Sequence, residues 1–195
     1  MYYKIAELFK DDSLSEDEKY KRWKELKKEE ERVKTHGAEA VGWDHPLYDL
    51  YTAIRDVCNG DKKGVDAFPT LVNLYFMPPD LLKSHGDAIG IYGYGVIMFK
   101  KSFYDAHGVE DDDVIDNMFH EMIHAYCDMK VPEKKIHDTD GAFHRREFAD
   151  VCERFGGVCR YANATDVYND ARLPEELKKR VRERLTRRRK DDNNG

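Results

Sequence analysis

The chain has 195 residues, 41% of them hydrophobic, with 12 tyrosines and 9 phenylalanines, a composition that excludes a wholly disordered chain. The formal net charge is −6, but ten of the 33 basic residues and only five of the 39 acidic ones lie between Ala171 and Gly195. This segment therefore carries +5 and the remainder −11. The distribution argues against nucleic acid lying across the whole surface and puts any polyanion contact at the C-terminus.

No run of about 18 apolar residues occurs, so the sequence offers no candidate membrane span. The first residues, MYYKIAELFKDD, lack the basic and apolar regions of a secretory signal. We therefore expect a cytoplasmic protein, or a nuclear one if its source is eukaryotic. Four cysteines, with no C-x-x-C pair among them, are expected to stay reduced as core or surface residues: Cys58, Cys127, Cys152 and Cys159.

Charged residues dominate the N-terminal segment, and the stretch from Leu14 to Lys34 contains no glycine or proline. It predicts a helix capped by Ser13 or Ser15, with Glu18 as the capping-box partner of Ser15. We predict that residues 1–42 form a charged helical arm.

The next segment begins with a core helix, which starts near Pro46 and ends at Asn59-Gly60. Three runs rich in β-branched and aromatic residues follow, at 70–77, 88–94 and 95–103. They predict a small antiparallel sheet of three strands. With the helices that follow, residues 43–165 are expected to form one α+β domain.

Helical periodicity returns after the acidic run at 109–113. One amphipathic helix is predicted over 114–129 and another over 143–155, where Gly156-Gly157 ends it. A basic helix is predicted from Pro174 to about Lys190, within a C-terminal segment of residues 166–195.

The motif that carries chemistry is His120-Glu121-Met122-Ile123-His124. Residues four apart lie one turn apart on the same face of a helix, so the two imidazoles can converge on one metal ion. Glu121 is then turned toward the position of a metal-bound water. Because a catalytic zinc usually has three protein ligands, a third one is expected downstream.

His137 and His144 are the two candidates for the third ligand. His137 lies in the hydrophilic loop KKIHDTDG, whereas His144 is predicted at the start of a helix, four residues before an inward-facing Phe148. Rigid support favours His144. A single Zn²⁺ is the expected ion, since three histidines with one open position suit zinc best.

The segments HEMIHA (120–125) and HRREF (144–148) resemble the SprT-like family of zinc metallopeptidases, which includes the Spartan DNA–protein crosslink proteases. The resemblance spans about residues 43–158, with Arg145 where the family commonly has glycine. It implies a zincin-like SprT-type domain in which His120, His124 and His144 bind zinc. It indicates a minimal member of bacterial or viral type, without the family's C-terminal zinc ribbon.

The mechanism implied by the resemblance is hydrolysis of peptide bonds, with Glu121 as the general base that takes a proton from metal-activated water. An extended, unstructured protein substrate is expected to pair with a strand edge near residues 97–99. Three tyrosines are candidate stabilisers of the tetrahedral oxyanion, and the sequence does not choose among them: Tyr92, Tyr94 and Tyr126.

The C-terminal run KKRVRERLTRRRK has two interpretations. It is either an arm that contacts DNA or RNA, as the resemblance suggests, or a solvated helix end whose basic residues favour the helix dipole. The candidate nucleic-acid contacts are Lys178, Lys179, Arg180, Arg182, Arg184, Arg187, Arg188, Arg189 and Lys190.

Three functions remain open from the sequence. The chain is a DNA-associated protease that acts on crosslinked or bound proteins, a peptidase with a dedicated protein target unrelated to DNA, or a non-catalytic zinc-stabilised binding module. The intact Glu121 argues against the third, since purely structural zinc sites are usually closed by a fourth protein ligand.

Overall fold

The computed structural model describes residues 15–35, 37–42, 44–62, 66–69, 72–84, 87–93, 95–130, 143–164, 166–168 and 170–192. Within these ranges the chain forms seven helices and six short strands, which confirms the α+β class. The helices are α1 (Glu16–Thr35), α2 (Pro46–Asn59), α3 (Pro79–Ser84), α4 (Lys101–His107), α5 (Asp112–Lys130), α6 (Arg146–Arg154) and α7 (Glu175–Asp192). The strands are β1 (Glu39–Ala40), β2 (Asn73–Phe76), β3 (Gly90–Gly93), β4 (Val96–Phe99), β5 (Phe143–Arg145) and β6 (Asp166–Tyr168).

The helix of the N-terminal segment begins with the predicted capping box. The backbone N–H of Ser15 donates to the carboxylate of Glu18 at 2.8 Å, and the N–H of Glu18 donates to the hydroxyl of Ser15 at 3.3 Å. Residues 1–14 of the predicted arm lie outside the described residues.

The main sheet has four strands in the order β1–β2–β4–β3. Strands β3 and β4 form an antiparallel hairpin, in which Tyr92 faces Ile97, whereas β2 and β4 are parallel. The prediction of three antiparallel strands is therefore wrong. After β2 the chain passes through helix α3 and returns along the edge as β3, so β4 runs back in the direction of β2.

The third predicted strand is also too long. The run at 95–103 is a strand only as far as Phe99, and the chain then turns into helix α4. The aromatic residues that suggested a strand instead lie at helical spacing. Phe103 stacks on His107 with ring centroids 4.2 Å apart, and Phe103 and Tyr104 pack against the main core.

Helices α2 and α5 supply the centre of the core. Leu50 and Ile54 of α2 and Ile115, Met118 and Met122 of α5 are each 0% exposed. One face of α5 is thus fixed in the interior, which determines where its other residues point. No helix in the described part of the chain is both long enough and apolar enough to cross a bilayer.

Helix α7 belongs to the same core, since Val181 and Leu185 are 0% and 1% exposed and α7 packs against α2. Lys178 is buried and its ammonium lies 2.6 Å from the Asp116 carboxylate of α5. Asp116 also accepts a hydrogen bond from the backbone N–H of Leu173 at 2.9 Å. The C-terminal helix is therefore held on the domain by apolar packing and by a partly buried ion pair.

Candidate metal centre

The metal-binding helix predicted from the HExxH motif is α5. Its start is fixed locally, because the side chain of Asp111 accepts a hydrogen bond from the N–H of Asp113 at 2.9 Å. With Met118 and Met122 in the core, His120 and His124 share another face, one turn apart. Both histidines are buried, at 8% and 6% exposure.

The third histidine comes from a strand. His144 lies in β5, where it pairs with Val167 of β6, and helix α6 begins only at Arg146. The prediction that His144 opens a helix is therefore wrong: pairing with β6 supplies backbone partners that a local pattern does not reveal. The alternative ligand, His137, lies outside the described residues.

The three imidazoles converge through their Nε2 atoms. The Nε2 of His124 lies 3.1 Å from that of His120 and 2.8 Å from that of His144. All three ligand atoms lie within 4.8 Å of one another. Phe148, in the first turn of α6, contacts all three rings, with centroid distances of 5.0, 4.8 and 4.1 Å to His120, His124 and His144.

This arrangement fits a single metal ion. Ligand nitrogens about 2.0–2.1 Å from a tetrahedral zinc are separated by roughly 3.3 Å, so shifts of a few tenths of an ångström would bring the two measured pairs to that spacing. Phe148 closes one side of the cluster with apolar surface. The three buried histidines can therefore bind a metal ion.

Glu121 is buried beside the ligand pair, with 4% of its surface exposed. Burial raises the pKa of Glu121 to about 8, and a hydrogen bond from the backbone of Tyr92 acts in the opposite direction by stabilising the carboxylate. A carboxyl group with a pKa in this range can both take and return a proton near neutral pH.

The strand β3 runs along α5 beside this glutamate. The side-chain oxygen of Asn117 lies so close to Gly90 that a Cβ there would be 2.2 Å from it. Further along β3, the backbone of Tyr92 contacts Glu121. The hydroxyl of Tyr92 donates a hydrogen bond of 2.7 Å to Asp128. One side of α5 thus carries, in order, Asn117, Glu121 and Asp128. Strand β3 runs alongside this side of the helix.

The substrate edge predicted near residues 97–99 is wrong. Strand β4 is an interior strand, paired with β2 on one side and β3 on the other. In the described part of the chain, β3 pairs with β4 alone and is the outer strand of the sheet at this end. The open edge thus belongs to residues 90–93, next to Glu121.

The three candidate tyrosines have different positions. Tyr92 lies on β3 along the metal-binding helix, and Tyr94 lies outside the described residues. Tyr126 packs edgewise on Phe68 and Phe155, and Arg154 lies against its ring. Of the two described tyrosines, Tyr92 is the one in contact with Glu121.

No disulfide joins any of the four cysteines in the structure. Cys127, three residues after His124, is buried in the main core, and burial raises the pKa of its thiol to about 12. Because a thiol binds metal as the thiolate, this environment favours a packing role for Cys127 over a ligand role.

Among the candidate nucleic-acid contacts whose side chains the structure describes, four form ion pairs within the chain. Lys178 and Arg182 pair with Asp112 on α5, and Arg184 and Arg188 lie 3.7–3.8 Å from Asp56 on α2. The exposed candidates are Lys179, Arg180, Arg184 and Arg187. The side chains of Arg189 and Lys190 lie outside the described residues.

Sequence reasoning missed two contributors to this region. Asp128 holds the hydroxyl of Tyr92, and its position four residues after His124 was a signal that it shares the ligand side of the helix. The backbone contact between Tyr92 and Glu121 left no signal in the sequence, since any residue at position 92 except proline carries an N–H.

Comparison of the chain with protein-family models, with curated proteins and with solved structures finds no match.

Proposed function

We propose that this chain is a zinc-dependent metalloendopeptidase with a zincin-like, SprT-type catalytic domain. The observation that carries the proposal is the convergence of three buried imidazoles beside a buried glutamate on the same helix. Three histidine ligands leave a fourth position for water or substrate, as catalytic zinc sites require, whereas a purely structural site is usually closed by four protein ligands.

The residues would act as follows. His120, His124 and His144 would hold the ion, which when bound supplies Lewis acidity toward water and the scissile carbonyl. Glu121 takes the proton from the attacking water and returns it to the leaving amine. The apolar contact of Phe148 with the ligands restricts water on that side of the cluster.

The open edge of β3 supports an extended protein substrate. A segment without secondary structure can add to this edge through backbone hydrogen bonds, which depend little on side-chain identity. We therefore propose broad specificity for unstructured protein, with the scissile bond lying between β3 and the histidine cluster.

The decisive experiment compares the native protein with Glu121→Gln for metal content and cleavage of casein. One zinc per chain in both proteins, with cleavage by the native protein alone, is the expected result. Cleavage by both would remove Glu121 from the mechanism. Zinc in both with cleavage by neither would favour a dedicated substrate or a non-catalytic binding module, and failure of the native protein to hold metal would refute the proposal.

Association with DNA is a second proposal. It rests on the exposed side chains of Lys179, Arg180 and Arg187 on α7, for which no ion pair is found among the described residues. Stimulation of casein cleavage by single-stranded DNA would support proteolysis of DNA-bound or crosslinked proteins. Equal cleavage with and without DNA would favour a protein target unrelated to DNA.

A further inference from the structure

Tyr92 forms two contacts with helix α5. Its backbone N–H contacts the carboxylate of Glu121, and its hydroxyl donates to Asp128 at 2.7 Å. Glu121 and Asp128 are seven residues apart, or about 10 Å along the helix axis at 1.5 Å per residue. The tyrosine therefore lies lengthwise along α5, beside the turn that carries His124.

The hairpin explains why the backbone of Tyr92 is available for this contact. Gly93 and Val96 are paired across a two-residue connection, and the pair that flanks such a connection is hydrogen-bonded. Because hydrogen-bonded and non-hydrogen-bonded pairs alternate in an antiparallel ladder, Tyr92 and Ile97 form a non-hydrogen-bonded pair. The N–H and carbonyl of Tyr92 thus point outward, to the open edge.

We propose that Asp128 is a positioning residue for substrate: by holding the hydroxyl of Tyr92, it fixes the open edge of β3 beside Glu121. The inference rests on the proposed peptidase function. Asp128 itself touches neither Glu121 nor the reacting atoms in this scheme. It acts through Tyr92, which belongs to the strand edge with which an added substrate strand would pair.

A fixed edge matters more for cleavage than for stability. Asp128 is exposed at the surface of the helix, so the loss of one hydrogen bond there has little effect on the folded state. A substrate strand that pairs with a loosely held edge, in contrast, must order that edge on binding, and this entropic cost weakens the binding. Removal of the Asp128 carboxylate should therefore impair substrate binding in a protein that remains folded and metal-loaded.

The test measures kcat and KM on an unstructured peptide for the native protein, Asp128→Ala, Asp128→Asn, Tyr92→Phe and the double variant Asp128→Ala/Tyr92→Phe. Asp128→Ala and Tyr92→Phe are each expected to raise KM about tenfold with a smaller change in kcat. The double variant should resemble either single one, because both remove the same hydrogen bond. Asp128→Asn, which still accepts that bond, should stay near the native value.

Hydrogen exchange supplies a readout that does not depend on activity. The amides of residues 90–93 are expected to exchange faster in Asp128→Ala than in the native protein, with zinc content unchanged. Asp80→Ala, which removes an exposed carboxylate from α3, is the matched control and should change neither exchange nor KM.

The outcomes separate this inference from the proposed function. If the native protein holds zinc but cleaves nothing while the exchange of β3 still depends on Asp128, the peptidase proposal fails. If the native protein cleaves and Asp128→Ala keeps its KM and its exchange rates, the positioning role is overturned. Additive effects of Asp128→Ala and Tyr92→Phe would overturn it as well.

Discussion

The Nε2 atoms of His124 and His144 lie 2.8 Å apart, although the two residues are twenty positions apart in the sequence. One belongs to a helix and the other to a strand of a separate two-stranded sheet. A metal ion at this point would join these two parts of the chain directly, so the third ligand contributes both affinity and a cross-link.

The first prediction concerns the choice of that ligand. We expect His144→Ala to weaken zinc binding on the order of a hundredfold or more, because two histidines do not complete the site. His137→Ala should bind zinc like the native protein. Competition with a chromophoric chelator measures both affinities, and circular dichroism checks that the variants are folded. Loss of zinc in His137→Ala alone would reassign the ligand.

The second prediction concerns the tight packing of β3 on α5. A Cβ at Gly90 would lie 2.2 Å from the side-chain oxygen of Asn117, so Gly90→Ala should lower the free energy of unfolding by about 1–3 kcal/mol. Gly93→Ala is the matched control, since its nearest neighbour is a methyl group of Met98 at 3.8 Å. Urea unfolding measures both, and equal stabilities would contradict the close approach.

The third prediction concerns the ion pair that holds α7. Lys178→Met leaves the Asp116 carboxylate without its ammonium partner, and burial already raises the pKa of Asp116 above its usual value. We expect a loss of about 2 kcal/mol in the free energy of unfolding. Lys178→Met/Asp116→Asn should recover most of it, because no uncompensated charge remains and the Asn side-chain oxygen can still accept the hydrogen bond from the N–H of Leu173. A double variant less stable than the single one would refute this account.

The fourth prediction concerns pH. The ring nitrogen Nδ1 of His45 accepts a hydrogen bond from the N–H of Leu47 at the start of α2, and burial lowers the pKa of His45. A lowered pKa means that folding favours the neutral ring. The stability due to this cap is therefore complete above about pH 6.5 and is lost as the pH falls through the folded-state pKa.

Asparagine also caps helices but does not titrate, so it provides the comparison for His45. Between pH 7 and pH 5, we expect the Tm of the native protein to fall further than that of His45→Asn, by the equivalent of about 1 kcal/mol. The contributions of the surrounding carboxylates are common to both proteins. If the Tm of both proteins changed equally with pH, the His45 ring would either stay neutral throughout this range or contribute nothing to stability.

The fifth prediction separates nucleic-acid binding from folding. Deletion of α7 would remove Val181 and Leu185 from the core, so it is not a clean test. We instead expect Lys179→Glu/Arg180→Glu/Arg187→Glu to remain folded and to lose affinity for single-stranded DNA, because the changed side chains are exposed. Fluorescence anisotropy over a series of salt concentrations measures this. Unchanged affinity and salt dependence would exclude this face as the contact surface.

The sequence predicted best what depends on neighbouring residues. Helix α5 and the orientation of His120 and His124 follow from a spacing of four residues, and the Ser15–Glu18 cap follows from a spacing of three. In each case the physical interaction lies within a single helical turn.

What the sequence did not predict depends on distant pairing. His144 lies in a strand because of Val167, more than twenty residues later, and β2 is parallel to β4 because a helix intervenes. The basic residues of α7 read as a solvated or nucleic-acid-binding surface, but the acidic partners of four of them lie on α2 and α5. The residue pattern within one segment carries no information about partners that lie far away in the sequence.

The first and the later turns of helix α5 have different roles. Its first turns carry Asp112 and Asp116, which hold α7, while its later turns carry the ligand pair and Glu121. Under the proposed function, a change confined to Glu121 can therefore abolish turnover and leave the fold intact. The variant Glu121→Gln would then act as a substrate trap. It keeps the three histidine ligands and the strand edge, so it could hold a bound protein long enough for that protein to be identified.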